Sequence, residues 1–358
     1  MAPRFVCAHV RAMDAHTPGE TSPPGERVIK LNTTENPFPP SPKVMQAIRD
    51  IEPETLRRYP DPSGQLFREA VAKALGNDIA PDMILCANGA DDLLTIATRT
   101  FVGHGGTLAA PMPGYPLYPT LAEIEEAKFV GVNWYKNWAL PTEDLLATKS
   151  NAIYLANPNT PSGTMVAAAE VAKLANEFSG ALLIDEACVD FANESCLSLL
   201  KDHNNIVIAR SLSKGYCLAG LRFGYAIAQS AVIEEMNKVR GSYHVDAIAL
   251  IAAAAAIDDR EHAAMTWEHV RSERARLTSE LESLGWQVVP SHANFILAKV
   301  PEGDGQAMYD GLKRQGILVR HFQKSPLADK IQITIGTSQE NNALLGGIKA
   351  LSTAEKAA

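Results

Sequence analysis

The chain has 358 residues with a formal net charge of −8, 46% apolar and 21% charged, the balance of a globular protein long enough for a large domain and a smaller one. The acidic excess excludes nucleic acid as a partner, because a polyanion binder needs a basic stripe to displace counterions; a small molecule is the expected ligand. Cys7, Cys86, Cys188, Cys196 and Cys217 are scattered without C-x-x-C spacing, which points to a reducing cytoplasm rather than a disulfide framework.

Residues 1–28 contain no continuous apolar run of secretory type, so an irregular lead-in without an export signal is expected. Ser41 and Pro42 read as N-cap and first helical residue, and Ser63 as the opening of a helix whose Leu66, Phe67, Ala70, Val71 and Leu75 recur at helical spacing before Gly76. From there the apolar runs TLAAP, FVGVNW, AIYLAN, ALLIDEA, NIVIARS and FGYAIA alternate with helical patterns, predicting a mostly parallel sheet flanked by helices. The run from Ala247 to Ile257 is well short of the roughly 20 residues that cross a bilayer and reads as a buried helix, so no membrane partner is expected. After a helical region at 231–284, WQVVP, NFILAKV, GILVRHF and IQITIGT read as strands and NNALLGGIKAL as a closing helix, a second and smaller α/β unit. Ligands in open parallel sheets collect beyond the carboxyl ends of the strands, so polar residues just after apolar runs are the candidates for chemistry.

Several such positions combine. In CANGADD the amides of Gly89, Ala90 and Asp91 open a helix, where free N–H groups and the dipole favour an anion. Asp185 ends a strongly apolar strand, and a carboxylate desolvated there needs a cationic or hydrogen-bonding partner; a turn or cap role is the plainer reading of such a residue. Within twelve residues, Ser211, Ser213, Lys214 and Arg222 supply two hydroxyls, an ammonium and a guanidinium between apolar runs, and the arginine can grip a phosphate with two parallel bonds. One ligand with a phosphate, a basic ring nitrogen and a carbonyl that condenses with an amine satisfies this set: pyridoxal 5'-phosphate. Lys214 would form its Schiff base, the helix start with Ser211, Ser213 and Arg222 would take its phosphate, and Asp185 would keep its pyridine nitrogen protonated. The histidines show no ligand spacing such as H-E-x-x-H, so no metal is expected, and no G-x-G-x-x-G opens a dinucleotide site.

Over nearly its whole length the sequence resembles the fold-type I aminotransferases of class I/II, and within them the histidinol-phosphate aminotransferase branch. LNTTENPFPPSP (31–42) is similar to that branch's LNxNENPxGPSP, RRYPDPSG (57–64) to RYPDP, GADD (89–92) to GADE, and NPNTPSG (157–163) to NPNNPTG; PGYPLY (113–118), DEA (185–187), SLSKGYCLAGLRFGY (211–225) and ITIGTSQEN complete the match. The resemblance implies the PLP-dependent transferase fold of type I, with an amino-terminal arm and part of the small domain over 1–50, a large cofactor domain over 51–265 and the small domain completed over 266–358. It implies that Tyr115 stacks on the pyridine ring, that Asn159 donates to the ring's phenolic oxygen, and that Asn36, Arg320 and position 332 lie on the substrate side. It also implies a homodimer with shared active sites, since Tyr59 reaches the cofactor phosphate of the neighbouring subunit. The implied activity is transamination between an amino acid or amino-alcohol phosphate and a 2-oxo acid, with Lys214 as covalent anchor and general acid/base.

Two positions depart from the branch. Its DEAY tyrosine, which bonds the phenolic oxygen, is Cys188 here, a weak donor that reads as a small buried filler. Its LRITIGT arginine, which grips the substrate carboxylate, is Gln332, an amide without charge or two-pronged fork. Arg320 would then hold the anionic end of the substrate alone, so a weak glutamate/2-oxoglutarate half-reaction and an altered substrate choice are expected. Another chemistry of the same cofactor and fold, decarboxylation, oxidation or elimination, is the alternative.

Overall fold

A computed structural model describes residues 3–14, 20, 28–76, 78–301 and 303–357. Its strands are β1 (Ile29–Lys30), β2 (Ile84–Ala87), β3 (Thr107–Met112), β4 (Lys128–Asn133), β5 (Ala152–Ala156), β6 (Ala181–Asp185), β7 (Ile206–Ser211), β8 (Gly224–Ile227), β9 (Gln287–Val289), β10 (Phe295–Lys299), β11 (Ile317–Leu318), β12 (Arg320–His321) and β13 (Lys330–Thr334). Seven of them form a central sheet in the order β2-β8-β7-β6-β5-β3-β4. β5 is buried at every position and β6 and β7 nearly so, as continuous apolar runs covered by helices on both faces require.

Only β8 runs against its neighbours. Residues 212–223, between β7 and β8, hold one helical turn (Leu212–Gly215) and a short 3-10 turn (Ala219–Leu221). A parallel return needs a full crossover element; without one, β8 doubles back beside β7. A second reversal brings β2 parallel to β7 again. The carboxyl ends of β2, β3, β5, β6 and β7 therefore share one edge of the sheet.

The smaller unit is a four-stranded antiparallel sheet, β12-β13-β10-β9, with β1 paired in parallel to β11. Its core joins Leu31 from the amino-terminal part to Trp267, Ile296, Ile333 and Leu344. The fold is thus α/β with a mostly parallel central sheet and a smaller unit drawn from both parts of the chain.

Ser41 caps the helix Pro42–Arg49 by accepting from the Lys43 amide, as expected. Ser63 does not open the next helix. That helix begins at Gln65 behind a left-handed Gly64, and Asp61 accepts from the Gln65 amide; a carboxylate at the head of the turn outcompetes the hydroxyl for the free donor. The segment GILVRHF is two short strands in different sheets, a division that periodicity could not show. Of the lead-in, the helix Ala8–Ala12 is seen, while residues 15–19 and 21–27 lie outside the described ones. Among the described residues no helix is long and apolar enough to cross a membrane.

Candidate active site

The loops after β2, β3, β5, β6 and β7 enclose a cavity of about 380 Å³ lined by Ala90, Asp91, Tyr115, Asp185, Ser211, Ser213, Lys214 and Arg222. One wall is the start of the helix Gly89–Phe101, whose first-turn amides have no carbonyl partner within the helix. Gly89 has φ +85°, and a Cβ on it would lie 2.7 Å from Arg222 Nη2; glycine here supplies both the backbone conformation and the space. Arg222 is itself left-handed, with φ 55°. Its guanidinium reaches Asp91 Oδ2 at 3.2 Å and Ser213 Oγ at 3.5 Å. Ser211 caps the turn that carries Lys214 by accepting from the Ser213 amide at 3.2 Å. Tyr115 donates to Asp91 Oδ1 at 2.9 Å, and burial followed by the charge of Asp91 pushes its hydroxyl well above the ordinary range, so it remains a neutral donor.

The opposite wall holds Asp185 at the end of β6, buried and accepting from the Ala187 amide at 3.1 Å and from Tyr118 Oη at 3.2 Å. Burial raises its carboxyl above the usual range, while the Lys214 charge, the Ala187 amide and the Tyr118 hydroxyl pull the other way. The net upward direction marks a carboxylate still short of a cationic partner. The lysine turn is held from outside the cavity: Asn36 Nδ2 donates to the Lys214 carbonyl at 2.9 Å and Trp267 Nε1 to the Gly215 carbonyl at 2.6 Å.

The other expected site residues stand further off. Asn159 is buried, its amide donating to Ser162 Oγ at 2.8 Å and to the Pro113 carbonyl at 3.3 Å, and it is its neighbours Pro158 and Thr160 that line the cavity. Asn36 also accepts from the Phe38 amide through Oδ1, so both ends of its side chain are engaged within the chain. Tyr59 is 80% exposed and stacks on Tyr243 with centroids 4.5 Å apart, outside this cavity. Gln332 and Arg320 are cross-strand partners on β13 and β12; buried Gln332 approaches the Pro161 carbonyl at 3.5 Å. Cys188 lines the cavity, its Sγ 3.9 Å from Asn294 Oδ1, and burial pushes its thiol up to about 11, so it is neutral and not a thiolate.

Sequence reasoning passed over three residues that matter here. Tyr118, within PGYPLY, is the side-chain donor to Asp185 through its hydroxyl; the i, i+3 spacing from Tyr115 is the signal that places both rings on one side of a helix start. Trp267 and Asn294 carry no local motif, and only the fold brings them to the lysine turn and to Cys188.

The donor set fits pyridoxal phosphate: a helix start with two hydroxyls and a guanidinium for a phosphate, an under-compensated carboxylate for a cationic ring nitrogen, and a primary amine between them. Fold and cavity together define a fold-type I transferase. The chain belongs to the family Aminotransferase class I and II, whose profile matches residues 26–348. It is 43% identical over 344 residues to histidinol-phosphate aminotransferase 1 of Trichormus variabilis, covering 96% of this chain and 98% of that one. It is 42% identical over 339 residues to the histidinol-phosphate aminotransferase of Rhodopirellula baltica, covering 93% and 92%. The crystal structure of histidinol-phosphate aminotransferase from Sinorhizobium meliloti in complex with pyridoxal-5'-phosphate superposes with a TM-score of 0.87 at 25% identity, over 98% of this chain and 99% of that one.

Proposed function

We propose that the chain is a pyridoxal-phosphate-dependent aminotransferase whose amino donor carries an anionic end, with histidinol phosphate the leading candidate and a 2-oxo acid the partner substrate. The observation that carries this reading is Asp185 and Lys214 lining one cavity whose other wall is the Gly89 helix start and Arg222. When bound, the cofactor supplies a carbonyl that condenses with amines and a cationic ring that takes up the electron pair released at the substrate's α-carbon. Asp185 would keep a proton on the ring nitrogen, and that positive charge would relieve the raised pKa that burial imposes on the carboxyl. Lys214 takes the proton from the α-carbon and redelivers it, acting as general base and then acid. Gly89, Ala90 and Asp91 amides with Ser211, Ser213 and Arg222 hold the phosphate, and for Arg222 this means exchanging its present contact with Asp91 for a more highly charged anion. Tyr115, a neutral donor, would pack against the ring, and Asn159, oriented by Ser162, would serve the phenolic oxygen. Cys188, a neutral thiol, lines the same cavity.

On the substrate side, Arg320 meets the anionic end of the substrate. Gln332 beside it is uncharged, so discrimination among carboxylates rests on one guanidinium rather than two. Asn36 acts on the substrate side by setting the height of the lysine turn. Exposed Leu56, Tyr59, Leu66 and Tyr243 form the face expected to meet a second copy of the chain, with Tyr59 completing the neighbour's phosphate site. We place the large domain over 51–265 and the small one over 1–50 and 266–358, in the cytoplasm. Decarboxylation, oxidation or elimination by the same fold is not favoured, since the relatives matched along the whole chain are aminotransferases.

The test is titration of the purified holoenzyme with histidinol phosphate, glutamate, aspartate and simple amines, following the bound cofactor's absorbance and the mass of the products. Amino transfer from histidinol phosphate that depends on Lys214 is the expected result. Release of carbon dioxide or ammonia without transfer, or full turnover by Lys214→Ala, overturns it.

A further inference from the structure

A second cavity, of about 290 Å³, opens beside the turn that carries Lys214. Its charged lining is unevenly matched. Arg210 is committed to Glu186 at 2.8 Å and Arg271 to Glu268 at 2.9 Å. Arg260, on the rim, donates to the Ala74 carbonyl at 2.9 Å and has no acidic partner among the described residues. The Asp190 carboxylate accepts no hydrogen bond there either and is within ion-pair distance of neither Arg210 nor Arg260. Burial pushes that carboxyl up to about 6, with Arg210 drawing it down, so at neutral pH it is mainly charged. An acid in the depth and a base at the rim thus face one space without meeting; Val71, Leu75 and Trp267 give it an apolar stretch, beside the polar Asn193, Glu194 and Ser195.

We propose that this cavity is a binding site for an α-amino acid with an apolar side chain, its ammonium on Asp190, its carboxylate on Arg260 and its side chain against Val71, Leu75 and Trp267. A zwitterion is the ligand class that satisfies both groups. An amine alone leaves Arg260 unmatched, and a carboxylate alone leaves Asp190 unmatched, with Glu194 also on the lining. An apolar side chain is the part that gains from the stretch formed by Val71, Leu75 and Trp267.

The site shares its wall with the catalytic turn. Asp190 is pressed so closely on Gly215 that a Cβ there would lie 2.0 Å from Oδ2, and Trp267 donates to the Gly215 carbonyl. Occupancy therefore bears on the residue that follows Lys214, in the manner of a heterotropic effector.

The experiment uses holoenzyme reduced with borohydride, so that the cofactor is fixed to Lys214 and the first cavity no longer reacts with amines. If reduction fixes no cofactor, the aminotransferase reading fails by itself, and the same titration is run on the untreated chain. Calorimetric titration compares L-leucine with isocaproate, which lacks its amine, and isoamylamine, which lacks its carboxylate. Saturable binding of leucine at least roughly tenfold tighter than either half-ligand is expected. Asp190→Asn and Arg260→Met should each weaken it by roughly tenfold or more without lowering the thermal midpoint. Should the first variant fail to fold, the second decides. Absence of saturable binding, equal affinity for isoamylamine, or leucine binding unchanged by the substitutions would each overturn the proposal.

Discussion

At the carboxyl ends of β6 and β7, Asp185 and Ser211 end strands buried at nearly every position and Lys214 follows on the next turn, whereas Arg320 lies on β12, the edge strand of the four-stranded antiparallel sheet, and faces Gln332 on the interior strand β13. The first region is over-determined. Gly89 admits no Cβ, Asp185 has two donors, and the lysine turn is tied by Asn36 and Trp267. The second is held by strand pairing and one long contact to Pro161. A family that keeps its cofactor chemistry while changing substrates can vary such positions, since their side chains are fixed by fewer partners than those around the lysine turn.

The comparison breaks most visibly at Lys214. Lys214→Ala should cut amino transfer by about 10³-fold or more in single-turnover assays, the scale of a lost general acid/base; a smaller loss would move the chemistry elsewhere. Next, Asp185→Asn should slow turnover by about 10²-fold and yet stabilise the cofactor-free chain. The sign follows from the raised carboxyl: the native state holds its proton to higher pH than the unfolded state, so above the ordinary aspartate range the ionised carboxylate costs stability, and the amide removes that liability. Thermal denaturation of apo protein across pH checks it, and a variant less stable than the parent at neutral pH would contradict the assignment.

On the other side of the comparison, Gln332→Arg should raise kcat/KM for glutamate by roughly tenfold, the gain of one charge-assisted fork on a carboxylate, while leaving cofactor binding unchanged. If glutamate is already used well and the substitution does nothing, Arg320 suffices alone. The smallest expected effect concerns stability. Glu273 is buried and drawn down to about 2, first by its bond from Arg276 and then, against burial, by Asn341 and Ser338. Its contribution is therefore full above its ordinary value of 4.5 and lost as pH falls toward about 2. Glu273→Gln should cost about 1–3 kcal/mol at neutral pH and flatten the acid limb of the unfolding profile.

Much of this asymmetry was legible in the chain. The strand ends at Asp185 and Ser211 follow apolar runs, and the glycine and hydroxyl residues at the helix start and lysine turn carry their backbone preferences locally. Ser63 misled because a hydroxyl and a carboxylate two residues apart compete for one amide, and sequence does not rank them in place. Tyr118, Trp267 and Asn294 were not legible as site residues, because each acts on a group far along the chain.

The sequence by itself determined the alternation of strands and helices, the motifs that carry the family, and the chemistry available at Lys214, Asp185 and Arg222, since all of these depend on residue type and short-range spacing. Only the tertiary structure decided that β8 doubles back so that the carboxyl end of β2 lies on the same edge of the sheet as that of β7, that Asn36 holds a carbonyl 178 residues away, and that Asp190 and Arg260 look into one cavity without pairing. Those outcomes depend on which surfaces packing brings together, and local preference does not encode contacts between segments far apart in the chain.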